Sequence, residues 1–367
     1  MSASRLLTKD SRVLVIAGPA HGDILLVTPL LRALRRALPA GVIDVLVYQG
    51  QSAILEGNPD IDDILSTPKH PGFGGYRRLM RRIFRRYDVA ISNKQTDRVI
   101  GYAILAGHRR IAVVPADRQP WKRRMMTAVV PYDHENTHTL VQNNALGALL
   151  ELEPSWEVRL PQSGGSGPVL DELLPPPAAG FAVLHMNPGL PHKRWTTEGW
   201  AAVAAELHRQ RLTILLTGDG SEEERAYLQS IRTEMPAPVT DLSGRLRFAE
   251  VTELLSRCAV YVGTDTVTTH MAAAAGVPTV ALFGPENSRV WGPWPHGYAG
   301  PQSPWSFGGG DQRVGNVYLL QSDVPCPTCR QGHCLRRSER DRRCTLMETL
   351  GGEKAVRAIR SILQSVA

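Results

Sequence analysis

Asp23 follows Gly22 directly and precedes Ile24-Leu25-Leu26-Val27-Thr28-Pro29. Far downstream, Val262-Gly263-Thr264-Asp265-Thr266 leads to His270, and then to Leu282-Phe283-Gly284-Pro285. In both places a strand-like run hands over to a helix-like one. Open parallel α/β sheets bind ligands at the C-terminal edge, where such handovers lie. Asp23 at that edge can take a proton from a hydroxyl as a general base. It can equally cap the helix that begins near Ile24. Thr264, Asp265 and Thr266 bring hydroxyls and backbone N–H groups to a helix start, which suits phosphate. His270 lies one turn further in, and pure capping is the other reading. Together the two segments point to one active site shared between two α/β domains.

Two further segments carry suitable groups. Asn187-Pro188-Gly189-Leu190-Pro191-His192-Lys193-Arg194-Trp195 is shaped by Gly and Pro, and its Lys193 and Arg194 suit a diphosphate. An ordinary surface loop is the alternative. Gly218-Asp219-Gly220-Ser221-Glu222-Glu223-Glu224 also follows a strand-like run. A carboxylate there can accept hydrogen bonds from ribose hydroxyls, as in dinucleotide folds. The three glutamates also suit the positive end of a helix dipole. His134-Glu135-Asn136-Thr137-His138 matches the zinc-protease pattern HExxH, which requires both histidines on one helix face. Here Pro131-Tyr132-Asp133 precedes closely and Asn136-Thr137 looks like a helix start, so the match reads as coincidence. Cys326, Cys329, Cys334 and Cys344 form a dense cluster. Four thiols at this density read as a metal site for structural zinc or iron. Four reduced cysteines without a metal are the alternative. Cys258 stands apart as a small core residue.

The elements that must position these groups are legible as a pattern. Val13–Ile16, Val42–Tyr48, Val89–Ser92 and Ile111–Val113 read as strands, with helices over 24–38 and 138–150. The alternation resumes with strands at 181–186, 212–216, 259–262 and 279–283, and helices at 197–209, 222–232, 248–256 and 268–275. Such alternation means βαβ units and parallel sheets. The Gly/Pro-rich stretch between Pro161 and Gly180 separates the halves. The expected division is 1–165, a linker over 166–180, and 181–367. At 367 residues the chain suits two domains. No apolar run is long enough to span a membrane, and no secretory signal is apparent at the start. A cytoplasmic location is therefore expected.

The net charge is +7 and the excess is local. Residues 76–87 carry six arginines: Arg77, Arg78, Arg81, Arg82, Arg85 and Arg86. They alternate with Leu79-Met80, Ile83-Phe84 and Tyr87, which predicts a basic amphipathic helix. Arg109-Arg110 and Trp121-Lys122-Arg123-Arg124 add to the patch. Such a surface attracts anions, whether nucleic acid, acidic lipid or a phosphorylated glycolipid, and an ordinary solvated helix face is the alternative. No nucleic-acid motif is present, and no nucleic-acid partner is expected.

Taken in order, these segments resemble glycosyltransferase family 9, the bacterial heptosyltransferases of the lipopolysaccharide core. Gly22 through Leu34 looks like that family's opening motif. His138-Thr139-Leu140-Val141-Gln142-Asn143-Asn144, Lys193-Arg194-Trp195 with Trp200, and Thr264-Asp265 through Gly284-Pro285 resemble its later ones. The resemblance implies a GT-B fold, two Rossmann-like domains facing across a cleft. It implies inverting transfer of heptose from an ADP-linked donor, without a cofactor or catalytic metal. By that resemblance Asp23 is the base, and Lys193 with Thr264, Asp265 and Thr266 stabilises the departing diphosphate. Glu222 or Glu223 holds the ribose, and His270 lies near the phosphates. Arg77, Arg78, Arg81, Arg82 and Arg85 face an anionic glycolipid acceptor at the cytoplasmic side of the inner membrane. The chain departs from the family pattern at Val267, where glycine is usual.

Overall fold

The computed structural model describes residues 7–116, 119–163, 168–174, 180–308, 310–324, 326, 329–330, 333–334 and 344–364. It forms two compact units. The first holds Met1–Pro161 with Ala299–Gln302, and the second holds Gln162–Tyr298 with Ser303–Ala367. Residues 164–167 and 175–179 of the expected linker region lie outside the described residues, and a short helix, Pro168–Leu173, stands between them.

The N-terminal unit begins with β1 (Arg12–Ile16), α1 (His21–Leu25), α2 (Thr28–Ala37), β2 (Val42–Tyr48) and β3 (Asp63–Thr67). The chain continues through α3 (Phe73–Ile83), β4 (Tyr87–Ser92), α4 (Asp97–Ala106) and β5 (Gly107–Val114). It then forms α5 (Pro120–Met125), β6 (Ala128–Pro131) and α6 (Thr139–Ala148). The six strands are parallel, in the order β3-β2-β1-β4-β5-β6. The strand order therefore reverses beside β1, which pairs with both β2 and β4. Leu14, Ile16, Leu46, Leu79, Ile83 and Ala103 pack one core of this sheet.

The predicted helix over 24–38 is two helices. Thr28 donates its hydroxyl hydrogen to the Leu25 carbonyl at 2.7 Å, and Pro29 has no N–H to continue the ladder. The basic helix is also shorter than its sequence pattern. It ends at Ile83, Arg85 takes a left-handed φ of 53°, and Tyr87 already belongs to β4. Tyr87 is buried in the sheet, with its hydroxyl donating to Asp44 at 2.7 Å, so it is no part of the helix face.

The C-terminal unit opens with α7 (Pro168–Leu173), β7 (Phe181–His185), α8 (Thr197–Arg209) and β8 (Thr213–Leu216). It continues through α9 (Glu222–Arg232), β9 (Val239–Asp241), α10 (Phe248–Arg257), β10 (Val260–Thr264) and α11 (Val267–Ala274). There follow β11 (Thr279–Leu282), α12 (Ser288–Trp291), the antiparallel pair β12 (Gln312–Val314) and β13 (Val317–Leu320), and the short pair β14 (Cys329–Arg330) and β15 (His333–Cys334). The unit ends with α13 (Thr345–Glu348) and α14 (Gly352–Gln364). The main sheet runs β12-β13-β11-β10-β7-β8-β9. Its order reverses beside β7, which pairs with β8 and β10. Cys258 is the C-terminal cap of α10 rather than part of a strand, and burial pushes its thiol up to about 12.

Helix α14 closes this second core by laying Ala355, Ala358, Ile359 and Ile362 into the cluster that holds Trp200 and Val203 of α8. Fully buried Glu206 fastens the two helices. Its carboxylate accepts from Arg360 at 3.0 and 2.9 Å and from Gln210 at 2.8 Å. Burial alone would raise its pKa, but these bonds and the two nearby arginine charges hold it below the usual range.

Candidate active site

In the N-terminal unit, Asp23 sits inside the first turn of α1, and Ala20 occupies the cap position. The capping role is therefore not the one Asp23 plays. Its carboxylate is nearly buried and pairs with the Lys94 ammonium, Nζ to Oδ1, at 2.8 Å. Lys94 follows β4 and Asp23 follows β1, so the pair spans the point where strand order reverses. That is where doubly wound sheets place their ligands. A Cβ at Gly18 would lie 2.6 Å from Lys94 Cε and 2.9 Å from Asp23 Cβ. Glycine there makes room for the pair. Tyr132, after β6, feels both charges. Burial raises its phenol, Lys94 pulls it down and Asp23 pushes it up.

Sequence reasoning missed Lys94 and Gly18. The only signal for Lys94 was its place directly after a predicted strand. Sequence reasoning also misplaced Lys122, which was counted with the basic patch. Lys122 is 2% exposed, donates to the Gln95 carbonyl and pairs with Asp97 at 2.6 Å. Arg77, Arg78, Arg81 and Arg85 are exposed as expected, while Arg82 pairs with Asp63 at 2.6 Å. His134 and His138 share no helix face. His138 caps α6 by accepting from the Leu140 N–H at 3.1 Å, and His134 stacks on Tyr132.

The C-terminal unit repeats the arrangement at its own reversal point. Lys193, after β7, pairs with Asp265, after β10, at 2.6 Å and with Glu286, after β11, at 3.5 Å. Asp265 stands between buried Thr264 and the α11 cap Thr266, which accepts from the Thr269 N–H at 3.4 Å. Thr269 in turn donates to the Thr264 carbonyl and meets the Tyr261 hydroxyl at 2.9 Å. These bonds fix the turn that leads into α11. His270 is buried on that helix. Val267 begins it and is partly exposed.

The three glutamates of α9 separate. Glu222 is exposed, and Glu223 pairs with Arg194 at 2.9 Å. Arg194 also lies 4.2 Å over the Tyr227 ring. Glu224 turns inward, 1% exposed, and accepts from the Gly220 N–H at 2.6 Å. Gly218 gives that carboxylate its space, since a Cβ there would collide with it. Burial raises Glu224 to about 6, with the Asp219 charge adding to the effect. His185, at the end of β7, meets Thr217 at 3.0 Å, and desolvation lowers its imidazole to about 4.

Of the cysteine cluster, Cys344 is buried at the cap of α13, and the backbone pairs Cys329 with Cys334 across β14 and β15. The side chains of Cys329 and Cys334 lie outside the described residues. Among the described residues, no group of three or more His, Cys, Asp or Glu side chains is placed to hold a metal ion.

Two doubly wound units, each with a Lys–Asp pair at its reversal point, can be compared with known proteins. Residues 169–300 match the model for glycosyltransferase family 9 (heptosyltransferase). That stretch of the chain is a glycosyltransferase family 9 domain. Lipopolysaccharide heptosyltransferase 3 of Escherichia coli is 27% identical to it over 291 residues, 75% of this chain and 84% of that protein. Lipopolysaccharide heptosyltransferase 1 of Pseudomonas aeruginosa is 24% identical over 348 residues, 90% of each chain. Among solved structures, a family 9 glycosyltransferase from Veillonella parvula aligns with a TM-score of 0.76 at 17% identity, over 99% of this chain and 100% of that one. The Escherichia coli ADP-heptose lipopolysaccharide heptosyltransferase II aligns with a TM-score of 0.70 at 19% identity, over 97% of this chain and 100% of that one. The fold is GT-B, built from two Rossmann-like units, and the chain is a glycosyltransferase.

Proposed function

We propose that this family 9 enzyme transfers heptose from ADP-heptose to a lipopolysaccharide-core or similar anionic glycolipid, with inversion at the anomeric carbon. The observation that carries the reading is the buried Asp23 carboxylate at the reversal point of the N-terminal sheet. It is held on the segment that resembles the family's opening motif. The names of the relatives supply the donor and the acceptor class. In this reading Asp23 takes the acceptor hydroxyl's proton as that oxygen bonds to the anomeric carbon. The bond to the diphosphate breaks, and its electron pair leaves with ADP. Lys193 and the turn from Thr264 to Thr266 stabilise that leaving charge. Glu222 or Glu223 holds the ribose, and His270 lies near the phosphates. The exposed arginines Arg77, Arg78, Arg81 and Arg85 meet the glycolipid at the inner membrane surface, with Arg82 beside them. Among the described residues no helix is long and apolar enough to cross a membrane. A structural zinc or iron ion at the four cysteines belongs to this reading, on the chemistry of four thiolates.

Val267 favours a second reading, in which the same scaffold takes another nucleotide sugar. A branched side chain stands at the start of α11, where glycine would let a ligand approach the backbone. Calorimetric titration with ADP-heptose, UDP-glucose, GDP-mannose and ADP, without added metal, decides between them. Selective binding of ADP-heptose and ADP supports heptosyl transfer. Preference for a UDP- or GDP-sugar replaces it with the second reading. No binding to any of the four would point to a silent homologue.

A further inference from the structure

Lys94 is presented to Asp23 by a loop that is held on both sides. Ser92 donates its hydroxyl hydrogen to the Lys94 carbonyl at 2.7 Å. One residue further on, the buried Lys122 ammonium donates to the Gln95 carbonyl and pairs with Asp97. A solvated lysine needs no such support. The side chain then runs across Gly18 to reach Asp23 Oδ1 at 2.8 Å, with 17% of the lysine side chain and 10% of the aspartate exposed. Two charges this poorly solvated are costly to keep unless their geometry is used. The other carboxylate oxygen, Oδ2, lies over Gly18, where a Cβ would come within 3.0 Å of it.

We propose that Lys94 is the positioning residue for Asp23, fixing Oδ1 so that Oδ2 is the oxygen that receives the acceptor's proton. The inference rests on Asp23 being the base. When the acceptor hydroxyl attacks, its proton passes to Oδ2, the new glycosidic bond forms and the diphosphate leaves with its electron pair. Lys94 keeps its proton throughout. Its charge faces the carboxylate before the step and the neutral carboxylic acid after it. Tyr132 faces the same pair from the loop after β6, and His21 stands on the same helix as Asp23.

The test is steady-state kinetics with ADP-heptose as donor and O-deacylated lipopolysaccharide core as acceptor, for wild type, Lys94→Met, Lys94→Arg and Asp23→Asn. Lys94→Met should lower kcat by about tenfold to a hundredfold, within the range of general-base catalysis. The acceptor KM should stay within about twofold, because the loss is one of base alignment and not of acceptor binding. Lys94→Arg should restore most of kcat, and it stands in if the Met variant does not fold. ADP affinity should be unchanged in both. An unchanged kcat, or a loss confined to the KM for acceptor, overturns the proposal. If Asp23→Asn turns over at the wild-type rate, the base assignment fails, and the positioning role fails with it. If Asp23→Asn is inactive while Lys94→Met is normal, only the Lys94 proposal fails.

Discussion

The two units use the same device with opposite polarity. In the N-terminal unit the carboxylate, Asp23, follows the first strand and the lysine, Lys94, follows the fourth. In the C-terminal unit the lysine, Lys193, follows the first strand and the carboxylate, Asp265, follows the fourth. The surroundings differ as well. Lys193 has a second carboxylate in Glu286 at 3.5 Å. On the proposed reading, an arriving diphosphate competes with both for the ammonium and finds it in a preset position. In the N-terminal unit Lys94 meets the Asp23 carboxylate directly at 2.8 Å, a geometry that suits holding a base. On the proposed reading, one ion pair serves proton transfer and the other serves anion binding.

The sharpest way to break the comparison is to neutralise each half in turn. Asp23→Asn should reduce turnover by about a hundredfold to ten-thousandfold while ADP affinity stays at the wild-type value. Steady-state kinetics beside calorimetry would show it, and normal turnover would remove Asp23 from the chemistry. Lys193→Met should weaken donor binding as well as turnover. ADP affinity should fall about tenfold to a hundredfold, the worth of a charge-assisted hydrogen bond. The melting temperature should also drop, because Asp265 and Glu286 lose their cation. Unaltered ADP binding would separate Lys193 from the donor.

A smaller effect tests whether acceptor recognition belongs to the N-terminal unit alone. Changing Arg77, Arg78, Arg81 and Arg85 together to Gln should raise the acceptor KM by about tenfold, from exposed charges each worth up to about 1 kcal/mol. ADP binding should not respond. Were donor binding the parameter that moved, the assignment of roles to the units would be wrong.

The smallest effect is a slope. Glu224 is raised from 4.5 to about 6, so the folded unit holds its proton where the unfolded chain has lost it. Its contribution to stability is complete below pH 4.5 and is lost as pH rises through about 6. His185, lowered from 6.5 to about 4, works in the opposite sense over the same window. Glu224→Gln removes the falling contribution, so its melting temperature should climb more steeply between pH 4.5 and 6 than the wild type's. Parallel curves would mean that Glu224 does not titrate there.

Much of this was legible before any coordinates. β2, α8 and α9 have the residue bounds that periodicity gives, because their apolar spacing, caps and breakers agree. Among the strands that escaped, β3, β6 and β9 are edge pieces of three to five residues, where pattern is weak. α3 was overextended because arginine pairs continue past the residue at which the backbone turns left-handed. For the site, residue type and strand ends pointed to Asp23, Lys193 and Asp265. Their partners were not readable, since Lys94 and Glu286 come from strands adjacent in space and distant in sequence. Glu224 shows the same limit within one helix start. Three glutamates in a row look alike, and only Gly218 across the turn decides which of them is buried.

The clasp between Glu206 and Arg360 joins residues 154 positions apart. Trp200 and Val203 therefore wait through the synthesis of nearly the whole second unit before α14 arrives to cover them. Closing so long a loop late is slow relative to local helix formation. In that interval a nascent chain carries an uncovered tryptophan surface and a carboxylate without its bidentate partner. Chaperone dependence and loss to proteolysis should be concentrated in this unit during production of the protein.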